Sequence, residues 1–253
     1  MLALPGAGQA RRVADIKTRG ILTCGLAPDM PGFSLVIGPA SATGLDADLC
    51  RAVARALLGD AAHARFVPIA TIDQFRSDHT IDLVFHGLTA KPAREEAWGV
   101  RFAPVSFQDG QAIALHGDDP ARTADDLDGA MVCVERDSIF AGQLRRARPN
   151  IRQLPQANAT AARMAFQAGR CRGWSWDVSG LFSALSHDKA KRYRILPDRF
   201  SIEPLAPIIR AGDADLLKVA RRAIPAALKD GTLYRRHFVE DANVTLERRP
   251  QRF

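Results

Sequence analysis

The sequence predicts an α/β protein in which short buried strands alternate with amphipathic helices. Apolar residues recur at three- and four-residue steps over residues 44–60, which is the periodicity of a helix. Short apolar segments that end at a turn, such as residues 20–27 and 81–87, are typical of buried strands. The order strand, helix, strand predicts parallel β–α–β units.

Each half of the chain contributes its own series of predicted elements. The first series comprises strands at 20–27, 64–69 and 81–87 and the helix at 44–60. The second series comprises strands at 111–116, 125–137 (after a turn), 172–177 and 192–198 and a helix at 159–169. The tail at 213–241 predicts two helices, with Pro225 interrupting the first and Lys229–Gly231 ending it.

Ligands of open α/β sheets bind at the carboxyl ends of the strands. This rule directs attention to the residues after 27, after 87, after 136 and around 177.

Length and composition are those of a globular protein. Of 253 residues, 47% are hydrophobic and 25% are charged, which suits one large domain or two lobes. No apolar run reaches the ~20 residues that cross a bilayer. The net charge is +7, but the basic residues are mixed with acidic ones and form no aromatic-interleaved stripe. This pattern favours a solvated basic surface and gives no sign of a nucleic-acid partner.

Four cysteines occur without a C-x2-C pair, which argues against a structural zinc site. Their spacing alone leaves two disulfides and four buried thiols as equal alternatives. The N-terminal segment, residues 2–10, looks like the last part of a secretory signal peptide. A start codon assigned too late and a leaderless cytoplasmic protein both account for it.

Several segments, in this order, resemble one family. They are TGLDADLCRAVARALLGD, RFVPI, DLVFHGLTAKPAREE, LDGAMVCVERD, AGRCRGWSWDVSG and IEPLAPIIRAGD. The chain is similar over about residues 12–240 to the amino-acid-binding proteins of ABC uptake systems, solute-binding protein family 3. The resemblance is greatest to the general L-amino-acid and glutamate/glutamine-type branch.

The resemblance implies a two-lobed type II periplasmic binding protein, the Venus-flytrap α/β fold, with two hinge strands. Lobe 1 would comprise 11–107 and 207–253, and lobe 2 would be the inserted 108–206. The hinge would lie near 106–110 and 203–207. The resemblance also implies a periplasmic monomer with a truncated or mis-started signal peptide. Its partners would be a small amino-acid-like ligand and an ABC permease of the inner membrane. Catalytic residues, metal and cofactors are not expected.

In lobe 1, the resemblance assigns ligand contacts to Gly87, Thr89 and Arg94. An arginine suits a ligand carboxylate because its planar fork donates two parallel hydrogen bonds. Thr89 would add a hydroxyl group, and Gly87 would let the backbone approach the ligand. Without the resemblance, Arg94 would be interpreted as a surface arginine on a helix.

In lobe 2, the resemblance assigns the ligand's ammonium group to Asp177, which also suits the N-cap of a following helix. Ser138 matches a Gly-Ser/Thr-Thr turn that binds the ligand carboxylate at a helix N-terminus. Asp137 and Ile139 replace the glycine and the last threonine of that turn. Because a carboxylate repels a carboxylate, this departure points to altered ligand binding or a different ligand orientation.

Phe33 matches a lobe 1 aromatic residue that packs on the ligand, with ordinary loop packing as the alternative. Trp174 and Trp176 are expected to share one face of their strand, opposite Ser175 and Asp177. The resemblance further implies one disulfide within each lobe, namely Cys24–Cys50 and Cys133–Cys171.

The function implied by the resemblance is capture of an amino acid or similar small zwitterion for an ABC importer. One alternative is a diverged periplasmic binder, sensor or accessory protein with a different or lost ligand. A dehydratase on the same fold is a further alternative.

Overall fold

The computed structural model describes residues 12–239 and 243–246, and the chain forms two compact units. Among the described residues, unit 1 comprises 12–108 and Pro204–His237, and unit 2 comprises Asp109–Glu203, 238–239 and 243–246. The segment that resembles the end of a signal peptide lies outside the described residues.

Helices and strands occur throughout the described chain. The first segment contains α1 (Arg12–Arg19), β1 (Leu22–Leu26), β2 (Asp29–Met30), β3 (Ser34–Gly38), β4 (Ser41–Thr43), α2 (Leu45–Leu58), β5 (Ala64–Pro68), α3 (Ile72–Ser77), β6 (Leu83–Phe85), α4 (Pro92–Trp98), β7 (Val100–Phe102) and β8 (Phe107–Asp109). The next contains β9 (Gln111–His116), β10 (Met131–Glu135), α5 (Ile139–Ala147), β11 (Arg152–Gln156), α6 (Ala159–Gln167), β12 (Gly173–Asp177), α7 (Val178–Ser186), β13 (Tyr193–Ile195) and β14 (Glu203–Leu205). The last contains β15 (Ile208–Arg210), α8 (Ala214–Leu228), α9 (Thr232–Phe238) and β16 (Val244–Leu246).

Unit 1 is built on a five-stranded sheet with the strand order β5-β1-β6-β15-β7. The first three strands are parallel, so their carboxyl ends meet at one edge, whereas β15 runs antiparallel to its neighbours. A Cβ atom at Gly44 would lie 2.3 Å from the carbonyl oxygen of Phe33, so only glycine fits where α2 begins. A disulfide between Cys24 and Cys50 joins β1 to α2.

Unit 2 is built on a six-stranded sheet with the order β11-β10-β12-β9-β13-β16. β10 is parallel to both β11 and β12, and β9 is antiparallel to β12 and β13. The carboxyl ends of β10 and β12 therefore meet at one edge. The disulfide between Cys133 and Cys171 joins β10 to the segment that enters β12. Both disulfides are the pairs that the resemblance implies.

Two expectations about the tail differ from the structure. Pro225 does not interrupt α8, which continues through it to Leu228 because buried residues such as Ile224 keep the helix packed. The tail was expected to return to the first lobe in full, but Val244–Leu246 pairs with β13 of unit 2. The buried side chains of Val244 and Leu246 explain this position, since they complete the apolar face of that sheet.

The described residues include no helix that combines the length and the apolar character needed to span a bilayer.

Removal of one disulfide is expected to destabilise its own unit selectively. A disulfide that closes a loop of this size adds about 3–4 kcal/mol to the free energy of unfolding, because it lowers the entropy of the unfolded chain. We expect Cys24→Ala/Cys50→Ala to lower the midpoint of urea unfolding of unit 1. In a Trp98→Phe background, the remaining two of the three tryptophans lie in unit 2 and report its unfolding by fluorescence. Circular dichroism follows the whole chain. The double variant Cys133→Ala/Cys171→Ala is the matched control, and an equal shift of both transitions in either variant would contradict the prediction.

Candidate functional site

The loop after β6 carries the three residues assigned to ligand binding in unit 1. Gly87 has φ 59°, a left-handed conformation that glycine adopts without strain. Thr89 forms an isolated antiparallel bridge with Leu205. The amide of Ala90 donates to the carbonyl of Pro204 at 2.8 Å, and the chain at Ala206 donates back to Leu88 at 3.0 Å. Backbone hydrogen bonds therefore hold this loop against the returning segment.

Arg94 lies on α4 and faces the same loop. Its Nη1 donates to the carbonyl oxygen of Thr89 at 3.0 Å, and its guanidinium lies 5.2 Å from the ring centre of Trp98. Arg94 is half-buried. No carboxylate among the described residues forms an ion pair with it. The structure thus brings Thr89 and Arg94 together and leaves the positive charge of Arg94 uncompensated.

Asp177 ends β12 and is the N-cap of α7. Its Oδ1 accepts a hydrogen bond from the amide of Gly180 at 2.6 Å and another from the hydroxyl of Ser179 at 3.0 Å. Burial raises the pKa of Asp177, and repulsion from Glu203 adds to this despite the two hydrogen bonds. The capping role is therefore real, and it is compatible with a ligand role for the same carboxylate.

Asp109 is a second acidic group at this helix terminus, and the sequence analysis did not identify it. Its Oδ1 accepts from the amides of Gly110 at 2.8 Å and Ser179 at 3.2 Å. Burial, followed by repulsion from Asp177, raises the pKa of Asp109 to about 6. The resemblance implies a hinge near 106–110, but the sequence pattern contains no sign that the side chain of Asp109 is buried. Two carboxyl groups therefore share one helix N-terminus.

The turn before α5 contains a non-glycine residue in the left-handed conformation. Asp137 has φ 55° and thus adopts the left-handed conformation at the position where the family usually has glycine. Ser138 is the N-cap of α5, accepting from the amide of Ala141 at 3.1 Å and donating to Glu135 at 2.8 Å. Its hydroxyl is thus engaged in capping. Ile139 is 64% exposed and places an apolar side chain at this helix end.

The side chain of Gln111 connects this turn to β12. Its Nε2 donates to the carbonyl of Phe140 and to the hydroxyl of Ser175, each at 2.8 Å. Ser138 and Asp177 therefore lie at the same edge of the sheet of unit 2, as the rule for strand ends predicts.

The aromatic residues lie mainly in the interior. Phe33 is 1% exposed, and its ring packs edge-on against Phe107 with centroids 4.9 Å apart. This position fits the loop-packing interpretation and leaves the ring almost no surface for a ligand. Trp174 is buried, and its ring stacks with that of Trp176 at 5.4 Å, as the shared face of the strand predicts.

Within the described parts of the chain, no group of three or more His, Cys, Asp or Glu side chains is arranged to hold a metal ion.

Replacement of Asp137 by glycine is expected to stabilise unit 2. A residue with a Cβ atom is strained at φ 55°, and glycine relieves that strain. We expect Asp137→Gly to raise the free energy of unfolding by about 0.5–1 kcal/mol in urea titrations. Asp137→Asn is the control, because asparagine removes the charge and tolerates the same conformation. A gain that is equal in both variants would assign the effect to charge and contradict the backbone explanation.

Comparison with known proteins identifies the family. Residues 22–238 match the bacterial extracellular solute-binding proteins, family 3. The chain is 31% identical to the general L-amino acid-binding periplasmic protein AapJ of Rhizobium johnstonii, over 82% of this chain and 63% of that protein. It is 30% identical to the glutamate/glutamine/aspartate/asparagine-binding protein BztA of Rhodobacter capsulatus, over 89% of this chain and 70% of that protein.

Solved structures agree with this comparison. A periplasmic binding protein of an ABC transporter from Brucella ovis, with glutathione bound, is 27% identical with a TM-score of 0.61. The match covers 83% of this chain and 68% of that one. The chain spans less than two thirds of the length of AapJ, so the match covers part of that relative. The type II periplasmic binding fold is confirmed, and the chain belongs to the bacterial extracellular solute-binding proteins, family 3.

Proposed function

We propose that this chain is the substrate-binding component of an ABC importer and binds an amino acid or a similar small zwitterion. The observation that carries the proposal is the uncompensated guanidinium of Arg94, held beside Thr89 by a hydrogen bond to its carbonyl oxygen. A half-buried cation without an ion-pair partner is well suited to an anionic ligand group. The α-carboxylate of an amino acid matches the planar fork of arginine.

Unit 2 offers the opposite charge. Asp109 and Asp177 both accept hydrogen bonds at the N-terminus of α7, and burial raises the pKa of both. A raised pKa indicates that the negative charge is poorly compensated in the free protein. A ligand ammonium group would supply that compensation. Arg94 would thus bind the carboxylate of a zwitterion, and Asp109 and Asp177 would bind its ammonium group.

The relatives support this assignment. Two of them are named for amino-acid binding, and the solved structure from Brucella ovis holds glutathione, which also carries α-amino and carboxylate groups. We therefore infer a periplasmic location and an ABC permease of the inner membrane as the partner. In this role the chain acts as a monomer, contacts no nucleic acid and binds its ligand without converting it.

A diverged binder or sensor is the second candidate. Asp137 and Ile139 favour it, because one is acidic and the other apolar at the turn that resembles a carboxylate-binding site. A thermal-shift screen of the twenty amino acids, glutathione, organic acids and amines separates the two candidates. A ligand present at a hundredfold excess over Kd stabilises the protein by about 2.7 kcal/mol. A response only to organic acids or amines, or to no compound, would favour the second candidate.

The role of Arg94 can be tested by calorimetric titration with the amino acid that gives the largest thermal shift. We expect Arg94→Ala to weaken binding about 30-fold or more, since loss of one partner of a desolvated charged pair costs 2 kcal/mol or more. Arg94→Lys keeps the charge but loses the fork and should give an intermediate affinity. Arg101→Ala is the control. Arg101 is exposed in β7, and its guanidinium lies near the carboxylate of Glu95, which shares helix α4 with Arg94. Unchanged affinity in Arg94→Ala would remove the basis of the proposal.

Asp177→Asn is expected to change stability and affinity in opposite directions. Asparagine is a good N-cap, so α7 keeps its first turn. Because the pKa of Asp177 is raised in the folded state, its charge reduces stability above that pKa, and the neutral amide restores it. We expect higher thermal stability at pH 7 and affinity weaker by about two orders of magnitude, because the charge partner of the ammonium is lost. A capping role alone would leave affinity unchanged.

A further inference from the structure

A small internal cavity lies beneath the loop after β6, entirely within unit 1. Its wall includes Phe33, His86, Gly87, Ser106 and Leu205, and Asp46 belongs to the same wall. The cavity volume is about 10 Å³. This space is close to the minimum that one water molecule occupies and is too small for an amino acid.

Asp46 is the acidic residue of this wall. The residue is 4% exposed, and its Oδ2 is buried with no hydrogen-bond partner in the described part of the chain. Asp46 lies in the first turn of α2, where free amides usually stabilise a carboxylate. Here those amides are occupied, since the amide of Asp46 donates to Phe33 at 2.8 Å and the amide of Leu45 to Gly32 at 3.0 Å.

The absence of a partner has an energetic consequence. A buried polar atom without a hydrogen bond costs about 1–3 kcal/mol. Burial alone raises the pKa of Asp46 to about 8, so the group is mostly neutral at pH 7. A neutral carboxyl group must donate its O–H to an acceptor. One water molecule can accept that hydrogen bond and donate its own to carbonyl oxygens of the wall.

The charged surroundings of Asp46 are few. His86 is the other titratable side chain of the described wall, and its Nε2 lies 3.1 Å from the carbonyl oxygen of Ile69. Because a carbonyl oxygen only accepts, that nitrogen carries the proton. Asp48, two residues along α2, is bonded instead to Arg51 and His237. None of these groups offers Asp46 a direct ion pair in the described residues.

We propose that Asp46 is a positioning residue whose carboxyl group, through one water molecule in this cavity, holds the loop from His86 to Ala90 in its ligand-binding conformation. The wall of the cavity includes the backbone of Gly87 and the returning strand, so the water lies between Asp46 and the segment that carries Thr89. The ligand-binding part of this inference rests on the proposed function. The water site and its effect on the loop do not.

Hydrogen exchange of the free protein tests the loop directly. The amides of Ala90 and Ala206 report on the loop, because they donate to Pro204 and Leu88. We expect Asp46→Leu to lower their protection at least tenfold relative to the amides of β1, since leucine fills the cavity and expels the water. Asp46→Asn retains a polar partner for the water and should stay within threefold of the wild type. Equal loss across β1 and the loop, or no loss at all, would overturn the proposal.

The pH profile separates positioning from a purely structural role. A carboxyl group whose pKa is raised in the folded state contributes stability that is full below its unfolded pKa and is lost as pH rises to about 8. Protection of the loop, corrected for the intrinsic pH dependence of exchange, should therefore fall as the pH rises from about 4 to about 8 in the wild type, level off above that, and stay constant in Asp46→Asn. Asp48→Asn is the matched control. Burial raises the pKa of Asp48, but its bonds to His237 and Arg51 outweigh this and lower it, so its effect on stability appears only in acid. Identical loop profiles in wild type and Asp46→Asn would contradict the proposal.

Titration with L-glutamine adds the ligand readout. Asp46→Leu is expected to weaken the affinity at least tenfold, and Asp46→Asn to leave it within threefold at pH 7. Unchanged affinity in Asp46→Leu would refute the ligand-positioning role. If the wild-type protein gives no heat with L-glutamine, the titration uses the amino acid that gives the largest thermal shift. Only the absence of any such amino acid counts against the proposed function, and the loop measurements then decide the role of Asp46.

Discussion

The burial of carboxyl groups is the physical constraint on which both units depend. Asp46 in unit 1 and Asp109 and Asp177 in unit 2 all have a pKa raised chiefly by loss of solvation. An ionised group in such a position must find a counter-charge, and a neutral one must find a hydrogen-bond acceptor. In the free protein, these buried carboxyl groups near helix termini therefore lack full electrostatic compensation. In the proposed binding site, a cationic ligand group would supply it in unit 2. In unit 1, a proton shared with one water molecule would do so.

The guanidinium of Arg94 is held by a backbone that is itself fixed by hydrogen bonds, which suits the ligand-binding role proposed for it. The loop that carries Thr89 is bonded on both sides to the returning segment at 204–206, so the carbonyl that positions Arg94 is itself held in place. A side chain with many rotatable bonds loses less conformational entropy on binding when its conformation is already restricted. The local sequence supports this arrangement, since Pro92 begins α4 and the left-handed Gly87 turns the chain.

Local pattern was sufficient to predict much of the framework. The helix at 44–60 and the strands at 111–116 and 172–177 appear within about two residues of their expected bounds, because periodicity records which face is buried. Pro225 was misjudged because the packing of α8 outweighs the local cost of a proline. Asp46 and Asp109 were missed for a similar reason. Their burial depends on distant segments, and an aspartate in a sequence looks the same whether it is solvated or enclosed.

The order of the cysteines has a consequence for synthesis. Consecutive cysteines pair, with separations of 26 and 38 residues, so the two closed loops neither overlap nor nest. A chain that emerges from its N-terminus can close the first bond before Cys133 appears, which removes the wrong partners from competition. The second bond can close before Pro204–His237, the last part of unit 1, has been made. Disulfide formation can therefore follow the order of synthesis, without any need to reshuffle bonds.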